Sequence, residues 1–216
     1  MRLMFLAKRA RPDILLVVVY LASRVSCPTE DDYKKFTRVL KYLHGTSELR
    51  LTLTPGTVLH LHAFIDASFA VHADARSHTG IVITVGSGAL YVKSMKQKLV
   101  SKSSTEAELI ALSDTIGQVV WTRNLLEAMG YSMEPATVYQ DNLSTMAMIR
   151  NGAPNSHRTR HINIRFFFAK DHEERGLIKL EYCPTENMLA DFFTKPLQGA
   201  LFTRLRNSLL GIASST

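Results

Sequence analysis

Ser103-Ser104-Thr105-Glu106-Ala107-Glu108-Leu109 opens a long segment of helical apolar periodicity and carries two glutamates two residues apart. On a helix such residues point about 200° apart, so the two carboxylates cannot serve one site. Ser103 followed by Glu106 fits a capping box, in which the hydroxyl takes the N3 amide and the N3 glutamate reaches back. Glu106 is thereby assigned a structural role, and Glu108 is left without one. Leu109, Leu112, Ile116 and Val120 carry the helix on through Trp121 and Leu125 to a stop at Gly130.

Outward from this helix the pattern changes. Leu59, Leu61, Ala63 and Ile65 alternate with His60, His62, Phe64 and Asp66, a strand that ends at Asp66. Residues 81–85 and 89–93, joined across Gly86, Ser87 and Gly88, read as two more antiparallel strands of a meander. After the helix, Ala136–Gln140 is a fourth short strand that ends at Asp141, and Asn142, Leu143 and Ser144 start another helix. A basic stretch with His157, Arg158, Arg160, His161 and Arg165 leads into a helix running to about Arg175 and closed by Gly176. Residues 177–182 form a fifth strand, and the segment after Pro184 carries Asp191 into a last helix. Ahead of all this, residues 1 to about 57 read as helices: a run led by Pro12, then 29–44 with Thr29 as cap, Asp32 three residues on, and Gly45 as the stop. Lys34, Lys35, Arg38 and Lys41 lie on the exposed side of the second.

Composition sets the outer bounds. The 216 residues are 46% apolar and 21% charged, ordinary for a globular protein and unlike a disordered one. Lys and Arg total 26 against 19 acidic residues, a net charge of +7 that favours an anionic partner. Cys27 and Cys183 show no CxxC or Cys/His ligand spacing, so neither a disulfide framework nor a zinc site is indicated, and a reduced intracellular setting fits. Lys8, Arg9 and Arg11 ahead of the apolar run 14–22 imitate a signal peptide, but Pro12 and Asp13 suit the first turn of a soluble helix. That run is also well short of the ~20 residues that span a bilayer. Neither secretion nor membrane insertion is expected.

Asp66, Glu108, Asp141 and Asp191 fall at strand ends or early helical turns of an α/β order. Any one alone reads as a cap, a turn residue or a surface charge. Brought to one end of a sheet, they make an all-oxygen site of the kind that suits Mg²⁺. Two such ions about 3.5–4 Å apart would stabilise the attacking and leaving oxygens of phosphodiester cleavage. Lys93, Lys96, Lys98 and Lys102, just before the capped helix, supply a grip for a polyanion.

The motifs also resemble a known family. Phe64-Ile65-Asp66-Ala67-Ser68, Lys96-Gln97-Lys98 with the 103–109 stretch, Tyr139-Gln140-Asp141-Asn142, Arg160-His161-Ile162, Pro184-Thr185-Glu186-Asn187, Leu189-Ala190-Asp191 and Thr194-Lys195-Pro196-Leu197 follow one another as in the ribonuclease H domain of copia-type retrotransposon Pol polyproteins. Upstream, Leu3-Met4-Phe5-Leu6-Ala7, Arg11-Pro12-Asp13-Ile14, Pro28-Thr29-Glu30 and the run from Arg38 to Thr46 resemble the end of the adjoining reverse transcriptase. The resemblance implies a ribonuclease H-like mixed five-stranded sheet flanked by helices, preceded by a small helical segment. It implies hydrolysis of the RNA strand of RNA·DNA hybrids with two Mg²⁺, or Mn²⁺, held by Asp66, Glu108, Asp141 and Asp191. Glu108 is selected because the family's helical glutamate directly precedes a Leu-like residue, here Leu109. Nucleic-acid contacts are expected at Lys96, Lys98, Lys102, Asn142, Arg158, Arg160 and His161.

The expected division is 1–58 as a carboxy-terminal remnant of reverse transcriptase, 59–197 as the ribonuclease H domain and 198–216 as a helical tail, with the reverse transcriptase core as a further partner. The polymerase Tyr-x-Asp-Asp hairpin is absent. Asp31 and Asp32 precede Tyr33 at a helix start, where they complement the dipole, so no polymerase activity is expected. Residues 182–187 lack the histidine that assists turnover in cellular ribonucleases H, which points to slower turnover. The alternative is a catalytically silent retroelement remnant that at most binds nucleic acid. An integrase-type transposase is disfavoured by the order of the four acids and by the Ala190-Asp191 context.

Overall fold

The alternation that begins at Leu59 becomes strand β1, Leu61–Ser68, which runs two residues past Asp66. The computed structural model describes residues 2–56, 58–151 and 160–212, with side chains over 2–56, 58–150 and 163–212. β1 is the middle of a five-stranded sheet of order β3-β2-β1-β4-β5, with β2 His78–Val85, β3 Ala89–Lys96, β4 Ala136–Gln140 and β5 Ile178–Tyr182. β1, β2 and β3 are antiparallel neighbours, and their register pairs Asp66 with Gly80. The β2–β3 turn is possible because Gly86 and Gly88 take φ of +93° and +77°, as the Gly86-Ser87-Gly88 reading requires.

β4 runs parallel to β1, and β5 runs parallel to β4. Parallel neighbours need a crossover, supplied by α4 (Ser104–Ala128) between β1–β3 and β4, and by α5 (Leu143–Asn151) and α6 (Arg160–Glu174) between β4 and β5. This is the ribonuclease H-like mixed sheet flanked by helices that the motifs imply. Parallel pairing brings the carboxyl ends of β1 and β4 to the same edge, where Asp66 and Asp141 lie.

Each face of the sheet has its own core. On one, Leu61, Ala63, Ile65, Ile81 and Ile83 meet Leu109, Leu112 and Ile116 of α4 and Phe166 of α6. On the other, Val82 and Ala89 meet Ala7 of α1 (Arg2–Arg9), Leu15 and Val18 of α2 (Leu15–Ala22), Val39 of α3 (Glu30–Gly45), and Leu205 and Leu209 of α7 (Gly199–Leu210). The two ends of the chain thus share one apolar layer.

Several sequence readings are corrected. α3 ends at Gly45, where the sequence reading stops it, and among the described residues of 46–60 the only strand-like pairing is an isolated bridge, Thr54 to Ser87. Gly45 does not, however, provide a left-handed stop. The cap is Thr46 at φ −131°, whose hydroxyl donates to the Tyr42 carbonyl at 2.6 Å and accepts from Arg11 at 2.7 Å. That arginine also grips buried Asp13 at 2.8 Å, to which the Tyr42 hydroxyl donates at 2.6 Å, so a tertiary network closes α3 where a glycine was expected. The last helix does not contain Asp191, which sits in a 3₁₀ turn, Leu189–Phe193, ahead of α7. The Thr29 capping box is present, with Thr29 and Asp32 bonded reciprocally. Among the described residues no helix is long and apolar enough to cross a membrane.

Because Leu209 is fully buried against the sheet layer, Leu209→Ala is expected to cost about 2–5 kcal/mol in urea unfolding of the whole chain. Separate melting of the terminal helices, leaving the sheet transition unmoved, would contradict the shared core.

Candidate metal centre

Glu108 is placed by the helix start. The Ser103 hydroxyl accepts the Glu106 amide at 3.2 Å. The Glu106 carboxylate reaches back to the amide of Lys102 at 2.8 Å, one residue earlier than a capping box requires. Ser103 is extended (φ −152°, ψ 164°), which leaves the Lys102 amide outside any ladder and within reach. With Glu106 engaged there, Glu108 points from the next turn towards the end of β1, where the Ala67 amide donates to its Oε1 at 3.2 Å.

Carboxylate oxygens of Asp66, Glu108 and Asp141 lie within 4.8 Å of one another. Gln140, fully buried, ties two of these residues together: its Nε2 donates to Glu108 Oε2 at 3.3 Å, and its Oε1 accepts the amides of Asp141 and Asn142 at 3.0 and 3.4 Å. The Thr185 hydroxyl donates to Asp141 at 3.1 Å. Asp191 lies at the rim of this group. Its carboxylate is 2.7 Å from the Lys195 ammonium, which is also 3.5 Å from Asp66. The Thr194 hydroxyl donates to Asp66 as well.

The electrostatics follow from burial. Desolvation pushes the Glu108 carboxyl well above the usual carboxylate range, and the charges of Asp66 and Asp141 push it further. Asp66 is raised by burial against the pull of Lys195 and Thr194. Burial first, then Asp66, pushes Asp191 up to about 6. Such mutual repulsion among oxygen ligands is what a hard divalent cation would relieve.

The Asp191 turn is held against β2 by close approach. A Cβ at Gly80 would stand 2.7 Å from the Ala190 carbonyl and 2.8 Å from Thr194. Below it, the Ser94 hydroxyl donates to the Phe193 carbonyl at 2.8 Å and lies 2.7 Å from Nε2 of buried His78. With its proton committed, Ser94 must accept from His78 Nε2, and in the neutral ring His78 Nδ1 then accepts from His72 Nε2 at 3.0 Å. Burial, with His72 adding to it, pushes the His78 pKa down to about 4.

Of the expected nucleic-acid contacts, Lys96, Lys98 and Lys102 are exposed, Lys96 in an ion pair with Asp74 at 2.7 Å. The Asn142 side chain accepts the Thr145 amide at 3.0 Å and caps α5. Arg158, and the side chains of Arg160 and His161, lie outside the described residues. Gly80, Gln140, Thr194 and Lys195 were given no role by sequence. The spacing of Asp191 and Lys195, four residues apart, was the one available signal for an ion pair.

No protein-family model matches the chain. It is 33% identical over 89% of its length to the retrovirus-related Pol polyprotein from transposon RE2 of Arabidopsis thaliana, covering 13% of that protein. It is 29% identical over 99% of its length to that from transposon TNT 1-94 of Nicotiana tabacum, covering 16%. Over most of its length this chain is similar to one segment of retrotransposon Pol polyproteins. It spans about a seventh of the length of these Pol relatives. Among solved structures, the N-terminal RNase H domain of rv2228c from Mycobacterium tuberculosis aligns with a TM-score of 0.47 at 14% identity, over 69% of this chain and 98% of that one.

Two outcomes are expected. Glu106→Gln should cost no more than about 1 kcal/mol, because an amide still accepts at the helix start, whereas Glu108→Gln should fold but shift stability by more, because it removes a repelled, buried carboxylate while turning an NH₂ towards one of the two donors that Glu108 accepts from. Equal shifts in thermal melting would show the pair to be wrongly divided. Between about pH 6.5 and about pH 4 the unfolded chain takes up a proton that folded His78 refuses. Its contribution is therefore complete above about pH 6.5 and falls as pH drops, by roughly 3 kcal/mol in total. His78→Leu should flatten that slope in urea unfolding across the window, and an unchanged slope would exclude His78 as its source.

Proposed function

We propose that this Pol segment is a divalent-metal-dependent endonuclease that hydrolyses the RNA strand of RNA·DNA hybrids, with residues 59–197 as the catalytic unit. The observation that carries the reading is the meeting of Asp66, Glu108 and Asp141, with Asp191 at the rim, at one edge of a ribonuclease H-like sheet. The donor set fits the metal: every ligand atom is a carboxylate oxygen, and the oxygens are close enough to repel one another. Asp66, Glu108, Asp141 and Asp191 would hold Mg²⁺, as two ions, or Mn²⁺ in its place. Bound there, the ions would neutralise charge developing on the phosphate and lower the pKa of the attacking water.

The remaining work falls to the protein. Gln140 fixes Glu108 and the Asp141 backbone as one unit, so these ligands need no reordering when charge arrives. Lys98 and Lys102, exposed beside the start of α4, would hold phosphates of the hybrid, with Lys96 joining them if it leaves Asp74. Selection of a hybrid would rest on 2′-hydroxyls and groove shape rather than base sequence. Asn142 would contact the nucleic acid as well, and Arg158, Arg160 and His161 are proposed as further contacts on their sequence motif alone. Residues 1–58, resembling the end of reverse transcriptase, would join the unit to the polymerase core in the full polyprotein.

Labelled RNA·DNA, RNA·RNA and DNA·DNA duplexes, each with and without Mg²⁺, test the proposal. Cleavage is expected in the RNA strand of the hybrid alone. Asp141→Asn should lower it about a thousandfold, the rate equivalent of several kcal/mol of lost charge stabilisation. Undiminished cleavage by that variant, or cleavage without metal, would overturn the assignment.

A further inference from the structure

The carboxylates are not neutralised evenly. Asp66 and Asp191 share the Lys195 ammonium, at 3.5 and 2.7 Å, and Asp66 also receives the Thr194 hydroxyl. Glu108 and Asp141 receive only neutral donors among the described residues: the Ala67 amide, the Gln140 side chain and the Thr185 hydroxyl. Oxygens of Asp66, Glu108 and Asp141 converge within 4.8 Å, and Asp191 stands outside that convergence. One half of the cluster is open to a cation, and the other half already contains one.

We propose that Lys195 is a resident cation of the Asp66–Asp191 edge, so that a first divalent ion enters among Asp66, Glu108 and Asp141 and a second enters only by displacing the ammonium. The proposal rests on reading the four carboxylates as metal ligands. Its physical basis is charge: an ammonium within hydrogen-bond distance of a carboxylate oxygen and a divalent ion on that same oxygen repel strongly in a partly buried site. Displacement is feasible because the Lys195 side chain is 37% exposed and ends a flexible four-carbon stem that can carry its charge into water. The ammonium has a second consequence, which is to lower the repulsion between Asp66 and Asp191 when no metal is bound. Lys195 is thus a positioning residue that sets the order and inequality of metal occupancy.

Calorimetric titration of the whole chain with Mn²⁺ alone tests this, with circular dichroism as the check on folding. The wild-type protein should take one ion, with the second at least about tenfold weaker. Lys195→Met should leave the first site in place, tighten the second by about tenfold or more, and melt at a lower temperature than wild type when no metal is present. Lys195→Arg, which keeps the cation, should preserve the unequal pattern. Two equal sites in the wild-type protein would overturn the proposal even if Lys195→Met failed to fold, as would an unchanged second site in a folded Lys195→Met. Absence of Mn²⁺ binding in every form would instead remove the metal reading itself, and this inference with it.

Discussion

Crowding of carboxylates at the carboxyl end of β1 is the constraint to which the rest of the molecule answers. Asp66, Glu108 and Asp191 are almost fully buried, and like charges that close resist ionising together. Each is held by a different element: Asp66 by a central strand, Glu108 by the first turns of α4, Asp191 by a 3₁₀ turn. Distributing the acids over separate elements lets the packing of those elements oppose the repulsion.

The sheet meets that demand through its two cores. The layer built from α4 and α6 presses the α4 start against β1, so the Ala67 amide and the Gln140 side chain can fix Glu108. The opposite layer, assembled from both ends of the chain, buries Phe192 and Phe193, neighbours of Asp191 in the same turn. Gly80 lets that turn lie directly on β2, and the chain His72–His78–Ser94 anchors the Phe193 carbonyl from below. The terminal helices therefore bear on the geometry of the fourth acid, although none of them supplies one of the four carboxylates.

Much of this was legible. The alternation over 59–66, the paired glycines at 86 and 88, and the apolar spacing after Leu109 specify their elements locally, because strand and helix periods are properties of neighbouring residues. Distinguishing Glu106 from Glu108 was likewise local, a matter of hydrogen bonds within one helical turn. The end of α3 at Gly45 was legible in place but not in cause: the Arg11–Asp13–Tyr42–Thr46 network, formed between residues some 30 apart, closes the helix rather than a left-handed glycine.

The sequence by itself determined most of the strands and helices and their order, since these depend on periodicity, capping and turn residues along the chain, and it nominated the four acids through the succession of motifs. Tertiary structure alone decided how those acids are partnered: Gln140 bridging Glu108 to Asp141, Gly80 admitting the Asp191 turn, and Lys195 standing between Asp66 and Asp191. Asp66 and Lys195 are far apart in the chain, and only the packing of the 3₁₀ turn onto β2 brings them within reach of one another. Contacts of that kind depend on how the layers stack, which no local pattern encodes.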